Sequence, residues 1–291
     1  MLLLGLLLAA ELIIRPLEPR LSRDLAQIRH LPQVAEDLRA HQGWKVLVVG
    51  NSLSRCAIDT ALLTTGLKAA GRIDPAVFTF TPDGTSIVNW DYGLQRYFLH
   101  PGAIPDEIIL GAGRSHLQDS GGDASRLAAY YVDRQDVHRA WSQDLPTWEQ
   151  KCEFMLSRIS VLHASRHRIK PHVFGTLVPD YFEVTQWMNS QSLAHQGPAG
   201  RAPKPTYHHL EALLSACKSA GIKVTVISIP LPDPYHLPDE EIAAIKAGGA
   251  RWLPLQDIPG LQRSHFPDGY HLDASGARIM TEALSERLKA P

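Results

Sequence analysis

At 291 residues, 44% hydrophobic and 20% charged, the chain has the composition of one large globular domain, or of a domain carrying an insertion, and not that of a disordered or repeat protein. A formal net charge of −1 gives no global field that would draw it to nucleic acid, so no nucleic-acid partner is expected. Three widely spaced cysteines, Cys56, Cys152 and Cys217, allow at most one disulfide and show no zinc-ligand spacing.

Residues 1–43 read as a hydrophobic anchor followed by a helical stalk, outside the core of the main domain. Met1 to Ile14 is apolar except for Glu11, and Arg15-Pro16 ends the run. Such a run is shorter than the roughly 20 residues needed to cross a bilayer as a helix, which fits the end of a signal anchor that starts upstream; a helix packed on the domain is the alternative. Leu21, Leu25, Ile28 and Leu31 fall at helical spacing up to Pro32, and a second short helix over Val34 to Leu38 leads to Gly43. This reading expects membrane contact through the N-terminus and the rest of the chain outside the cytoplasm, on the periplasmic side; a cytoplasmic location is the alternative.

Residues 44–291 follow a strand-helix-strand rhythm. Val46 to Val49 is a buried strand that stops at Gly50 and delivers Asn51 and Ser52, a candidate nucleophile. Asp59 to Ala70 reads as a helix with Asp59 as N-cap and Gly71 as stop. Ala76 to Phe80 is a second strand, ending in Thr81-Pro82-Asp83-Gly84-Thr85-Ser86. Trp90 to Phe98 reads as a helix, and Glu107 to Leu110 as a third strand running into Gly111-Ala112-Gly113-Arg114-Ser115-His116. Three successive strands thus end in loops bearing Gly and Ser, and a parallel sheet gathers such loops at one edge, where open α/β sheets bind ligands.

An insertion at about residues 119–205 is less regular. Ala124 to Val132 and Thr147 to His163 read as helices, Val173 to Leu177 as a strand, and Asn189 to Pro205 as a loop. Trp141, Trp148, Tyr181, Phe182 and Trp187 lie in it and could stack on sugar rings. His163 and His167 stand four apart, but lack a third ligand in register and read as part of a solvated basic face with Arg166, Arg168 and Lys170; no metal is expected. Tyr207 to Ala220 is a helix, Lys223 to Ile229 a strand, Asp239 to Ala247 a helix, and Trp252 to Leu255 a last short strand. Asp268 and His271 then sit on a loop just before a final helix that runs to Leu288.

A serine becomes a nucleophile when an imidazole takes its proton and a carboxylate orients the imidazole. Ser52, His271 and Asp268 can fill these roles. No GxGxxG or GxxxxGK[ST] run supports a nucleotide site, and no cofactor is expected.

With Gly50-Asn51-Ser52-Leu53 after the first strand, Gly84 after the second, Gly113-Arg114-Ser115-His116 after the third and Asp268-x-x-His271 before the last helix, residues 45–288 resemble the SGNH (GDSL-like) hydrolase superfamily. The resemblance implies an α/β fold, a three-layer α/β/α sandwich with a central parallel, flavodoxin-like sheet. It implies Ser52 as nucleophile, His271 as general base, Asp268 as its orienting carboxylate, and an oxyanion hole from the N–H groups of Ser52 and Gly84. The family's third block ordinarily supplies an asparagine to that hole; Ser115 stands there in this chain. The implied activity is acyl transfer through an acyl-serine on O-acyl, chiefly acetyl, esters of a carbohydrate or another small ester. Water as acceptor makes an esterase and a sugar hydroxyl an O-acetyltransferase; a catalytically weak glycan-binding scaffold is the third possibility. Anchored members of the superfamily resemble partners of membrane-bound O-acyltransferases that modify cell-surface polysaccharides, so such a partner is also expected.

Overall fold

The computed structural model describes residues 2–119, 122–178, 180, 183–184 and 204–289. Its centre is a five-stranded, wholly parallel sheet in the order β2-β1-β3-β4-β5, formed by β1 (Lys45–Val49), β2 (Ala76–Phe80), β3 (Glu107–Ala112), β4 (Lys223–Ser228) and β5 (Arg251–Leu253). The fold is the expected three-layer α/β/α sandwich. Alternation of side chains divides each strand between two cores: Leu47 and Val49 of β1 face one, Val46 and Val48 the other. The first core takes helices α2 (Arg23–Ala40), α5 (Ile87–Leu94), α10 (His208–Ser219) and α11 (Asp239–Ala247); the second takes α3 (Ser52–Ala57), α4 (Thr60–Ala69) and α12 (Ala274–Lys289).

The chain reverses direction across the sheet between β2 and β3, so the carboxyl ends of β1 and β3 flank the switch point. Ser52 lies there, at the first position of α3. Asp59 caps α4 as expected, its Oδ1 accepting the N–H groups of Ala61 and Leu62 at 3.0 Å. β3 continues two residues beyond the expected Leu110, Gly111 pairing with Ile227 and Ala112 with Ser228.

Four expectations are corrected. Pro32 does not end a helix: α2 runs through it to Ala40. Leu25, Ile28, Leu31 and Leu38 are all buried on one stripe. At roughly 1.5–3 kcal/mol for each buried aliphatic side chain, that stripe outweighs the roughly 3 kcal/mol that an interior proline costs a helix. For the same reason α2 is not a stalk outside the core, since its buried face belongs to the core that packs on β1 and β3. The helix read over Thr147 to His163 is two helices, α8 (Trp148–Ile159) and α9 (Val161–Leu177), because Ser160 turns extended and caps the second, its Oγ accepting the His163 N–H at 3.0 Å. Val173 to Leu177 is the end of α9 and not a strand.

Between β3 and α8 lie α6 (Ala124–Arg126), continued by a π turn over Leu127–Tyr131, and α7 (Val137–Gln143). The first helix, α1 (Leu2–Leu17), packs on α9 through Glu11, whose carboxylate accepts the N–H groups of Val161 and Leu162 at 2.8 and 3.0 Å. No helix among the described residues is long and apolar enough to cross a membrane. The three cysteines are free.

Candidate active site

β1 ends against its neighbours more closely than any side chain would allow. A Cβ on Gly50 would lie 2.1 Å from Ser54 Oγ, and one on Gly111 of β3 would lie 2.3 Å from the same atom. Ser54 fills the space between the two strands and donates to Gly111 O at 3.0 Å, which pins the first turn of α3 to the sheet edge. Asn51 caps that turn: its Oδ1 accepts the Leu53 N–H at 3.0 Å while its Nδ2 donates to Thr85 O at 2.9 Å. The two bonds need an acceptor and a donor on one short side chain, so an amide serves where a carboxylate would set an oxygen against the Thr85 carbonyl.

The structure brings Ser52, His271 and Asp268 together across a separation of more than 200 residues. Ser52 Oγ lies 2.9 Å from His271 Nε2, and His271 Nδ1 lies 2.7 Å from Asp268 Oδ2. A carboxylate only accepts, so Nδ1 carries the ring proton and Nε2 is left to accept from the Ser52 hydroxyl. The other carboxylate oxygen, Asp268 Oδ1, accepts the N–H groups of His271 at 2.7 Å and Tyr270 at 2.9 Å. These donors, the His271 backbone N–H first and its ring second, hold the Asp268 carboxyl far below the usual carboxylate range, and the residue stays ionised well into acid.

The loop after β2 is drawn against the same edge. Thr85 Oγ1 donates to Pro82 O at 2.7 Å and lies 3.2 Å from Gly50 O, and it accepts from Trp90 Nε1 at 2.9 Å. Gly84 sits at φ +63°, a left-handed conformation that favours glycine. Among the described residues, neither the Ser52 N–H nor the Gly84 N–H donates to another protein group. Arg55 of α3 holds the preceding Asp83 through Nε and Nη2 at 3.2 and 2.7 Å.

The third loop behaves differently. Ser115 is exposed, and among the described residues no hydrogen bond ties its hydroxyl to Ser52, Gly84 or His271. Its neighbour His116 turns inward: Nδ1 accepts the Gly113 N–H at 3.0 Å, leaving the ring proton on Nε2, and Asn51 Nδ2 lies 3.3 Å from both ring nitrogens. Burial holds the His116 pKa below its ordinary value, so the ring is a neutral strut between the first and third loops.

Of the aromatic residues in the insertion, Trp141 packs against the first core, Trp148 is exposed at the start of α8, and Tyr181, Phe182 and Trp187 lie outside the described residues. His163 is engaged by Glu153 at 3.1 Å, and no cluster of metal-ligating side chains occurs among the described residues. The sequence did not reveal Tyr270 as a site residue, although its exposed ring stands edge-on to His271 with centroids 5.1 Å apart. Nor did it reveal Arg126, which binds the carbonyls of Asp83 and Gly84 from the insertion. Adjacency to His271 was the available signal for the first; nothing local marks the second.

No family model matches the sequence, and no curated protein matches it. Among solved structures, Axe2, an acetylxylan esterase from Geobacillus stearothermophilus, is 12% identical over 87% of this chain and 97% of that one, with a TM-score of 0.43. A single-residue variant of the same enzyme is 12% identical over 86% and 96%, with a TM-score of 0.42. A structure from Desulfitobacterium hafniense DCB-2, whose description places it in the G-D-S-L family of lipolytic proteins, is 12% identical over 83% of this chain and 98% of that one, with a TM-score of 0.38.

Proposed function

We propose that the chain is a serine-dependent esterase that removes O-acyl groups, chiefly acetyl, from a carbohydrate. The observation that carries this is the hydrogen-bonded line from Asp268 through His271 to Ser52, beside two backbone N–H groups that have no protein partner among the described residues. Ser52 Oγ attacks the ester carbonyl as its proton passes to His271 Nε2. The carbonyl oxygen takes the displaced electron pair and is met by the N–H groups of Ser52 and Gly84. Collapse expels the sugar alkoxide, which leaves with the proton held by His271, and water then repeats the sequence on the acyl-serine. The exposed face of Tyr270 offers a stacking surface for a sugar ring next to His271. If a sugar hydroxyl takes the place of water in the second half, the same residues perform O-acetyl transfer.

Treatment of the folded protein with a fluorophosphonate probe is expected to label the wild type and to leave Ser52→Ala unlabelled. Acyl recovered on an added oligosaccharide, and not as free acid, would make the activity a transferase. A folded wild type that does not label would mean that Ser52 is not activated, and a glycan-binding role would replace the enzymatic one.

We also propose that the protein rests on a membrane surface. All the exposed large apolar side chains among the described residues except Ile73, Trp148, Val184 and Tyr270 belong to α1, the C-terminal part of α8, and α9 with its capping Val178. Exposed His167 and Lys170 border this face, which suits an apolar layer under anionic head groups. The protein is expected to sediment with phosphatidylglycerol-containing vesicles and the double variant Leu12→Glu, Ile13→Glu to stay in solution; equal recovery of both in the supernatant would refute the membrane contact.

A further inference from the structure

One side chain grips the carbonyls on both sides of Gly84. Arg126 Nη1 donates to Gly84 O at 2.7 Å and Nη2 to Asp83 O at 2.6 Å. A guanidinium can do this because its donors are coplanar and fixed relative to one another. In a trans peptide the N–H points opposite to the C=O, and no cis peptide occurs among the described residues. Drawing Asp83 O toward Arg126 therefore turns the Gly84 N–H away from the guanidinium. The loop cannot swing as a body either, because Thr85 O is tied to Asn51 and the Asp83 carboxylate to Arg55.

Arg126 is itself held. Its Nη2 lies 3.1 Å from Asp24 Oδ2 of α2, and that oxygen also accepts from Arg168 Nη2 of α9 at 2.5 Å. The Arg126, Asp24 and Arg168 side chains are only 11%, 14% and 19% exposed, so water screens this chain of charges weakly.

We propose that Arg126 is a positioning residue for the Gly84 N–H, fixed in turn by Asp24 and Arg168, so that α2 and α9 set the geometry of the oxyanion hole. The inference rests on the acyl-serine reading of Ser52. A donor aimed at a developing oxyanion contributes about 10²–10³ in kcat. It acts on charge that exists only in the transition state, so misaiming it lowers kcat while leaving KM nearly unchanged.

The test is steady-state hydrolysis of p-nitrophenyl acetate by the full chain, with the unfolding midpoint of each variant measured alongside. Arg126→Gln is expected to lower kcat by about 10²-fold, in the range for a lost oxyanion donor, with KM changed less than about threefold. Arg126→Lys, which can serve one carbonyl but not both, is expected to recover part of the loss. Asp24→Asn, which leaves Arg126 its two carbonyls but removes the charge that anchors Nη2, is expected to lose about tenfold, less than the roughly 10²-fold that a misplacement of 1 Å can cost. A folded Arg126→Gln with wild-type kcat, or with its loss confined to KM, would overturn the proposal. Should Arg126→Gln not fold, wild-type kcat in Asp24→Asn would do the same. Failure of the underlying reading has a different signature, equal rates for wild type and Ser52→Ala.

Discussion

Asp268→Asn is expected to damage catalysis more than Asp268→Ala. The usual ranking would make the amide the milder change, but the hydrogen bonds around Asp268 decide otherwise. Its Oδ1 accepts two backbone N–H groups, those of Tyr270 and His271. An asparagine must therefore place its carbonyl oxygen there, and its NH2 then faces His271 Nδ1, where Asp268 Oδ2 now sits at 2.7 Å. A donor in that place forces the imidazole proton onto Nε2, so the atom that should accept from Ser52 no longer can. In the serine-protease triad this wrong-tautomer effect is worth about 10⁴-fold in kcat. Alanine imposes no tautomer. The Asp268 side chain is 55% exposed, so water can reach both Nδ1 and the two freed N–H groups, and the expected loss is about 10²-fold, the lower end of what a positioned acid–base partner contributes. Ser52→Ala and His271→Ala should each fall at least as far as the asparagine variant, since no other group stands in for either. Esterase kcat measured for the four variants checks the order; an asparagine variant faster than the alanine variant would mean that Asp268 does not set the His271 tautomer.

What the sequence made legible was local. The β-branched run Val46 to Val49 and its Gly-Asn-Ser stop depend on neighbours in the chain, and so does the Asp268-x-x-His271 turn, in which the carboxylate binds the backbone and ring of a residue three positions on. Pro32 is misleading in the sequence because helix propensity carries nothing of the burial of Leu25, Ile28, Leu31 and Leu38, which only the folded chain reveals. The break at Ser160 is not legible in the sequence because it depends on Glu11, about 150 residues away, taking up the freed N–H groups. Arg126 lies in a stretch, Ser125-Arg126-Leu127, that has no motif; its meaning comes from two carbonyls more than 40 residues earlier. Ser115 is legible in the sequence as a departure from the asparagine of the superfamily that the chain resembles, but its consequence is not: the side chain that turns inward after β3 is His116.

Stability is expected to fall as the pH rises from about 6.5 to about 9, because of a buried charge cluster on the first core. His209 of α10 presents Nδ1 to Asp91 Oδ2 at 2.8 Å and Nε2 to Asp144 Oδ1 at 2.7 Å. Tyr92 donates to Asp144 Oδ2 at 2.5 Å, and Arg139 Nη2 of α7 lies 2.9 Å from Asp91 Oδ2. Arg139 is shared with Asp136, whose Oδ1 lies 3.9 Å from its Nε, so a protonated His209 is needed beside it to offset Asp91 and Asp144; a neutral imidazole leaves the cluster one positive charge short. Burial alone would lower the His209 pKa, but the hydrogen bonds that the ring donates to Asp144 and Asp91 overcome it and push it up to about 9. A value raised above that of the unfolded chain, near 6.5 for histidine, means that the stabilisation is complete below pH 6.5 and lost as the pH passes 9, on the order of 3 kcal/mol in all. Glu241, which burial raises to about 7, acts with the same sign in a lower window, its contribution complete below about 4.5 and lost by 7. Denaturant unfolding at several pH values separates them: His209→Gln should lose about 3–5 kcal/mol near neutrality, as expected for a buried ion network missing one partner, and should flatten the curve only above pH 6.5. A wild-type curve already flat from 6.5 to 9 would mean that folding takes up no proton in this window, and so that His209 is neutral in the folded protein.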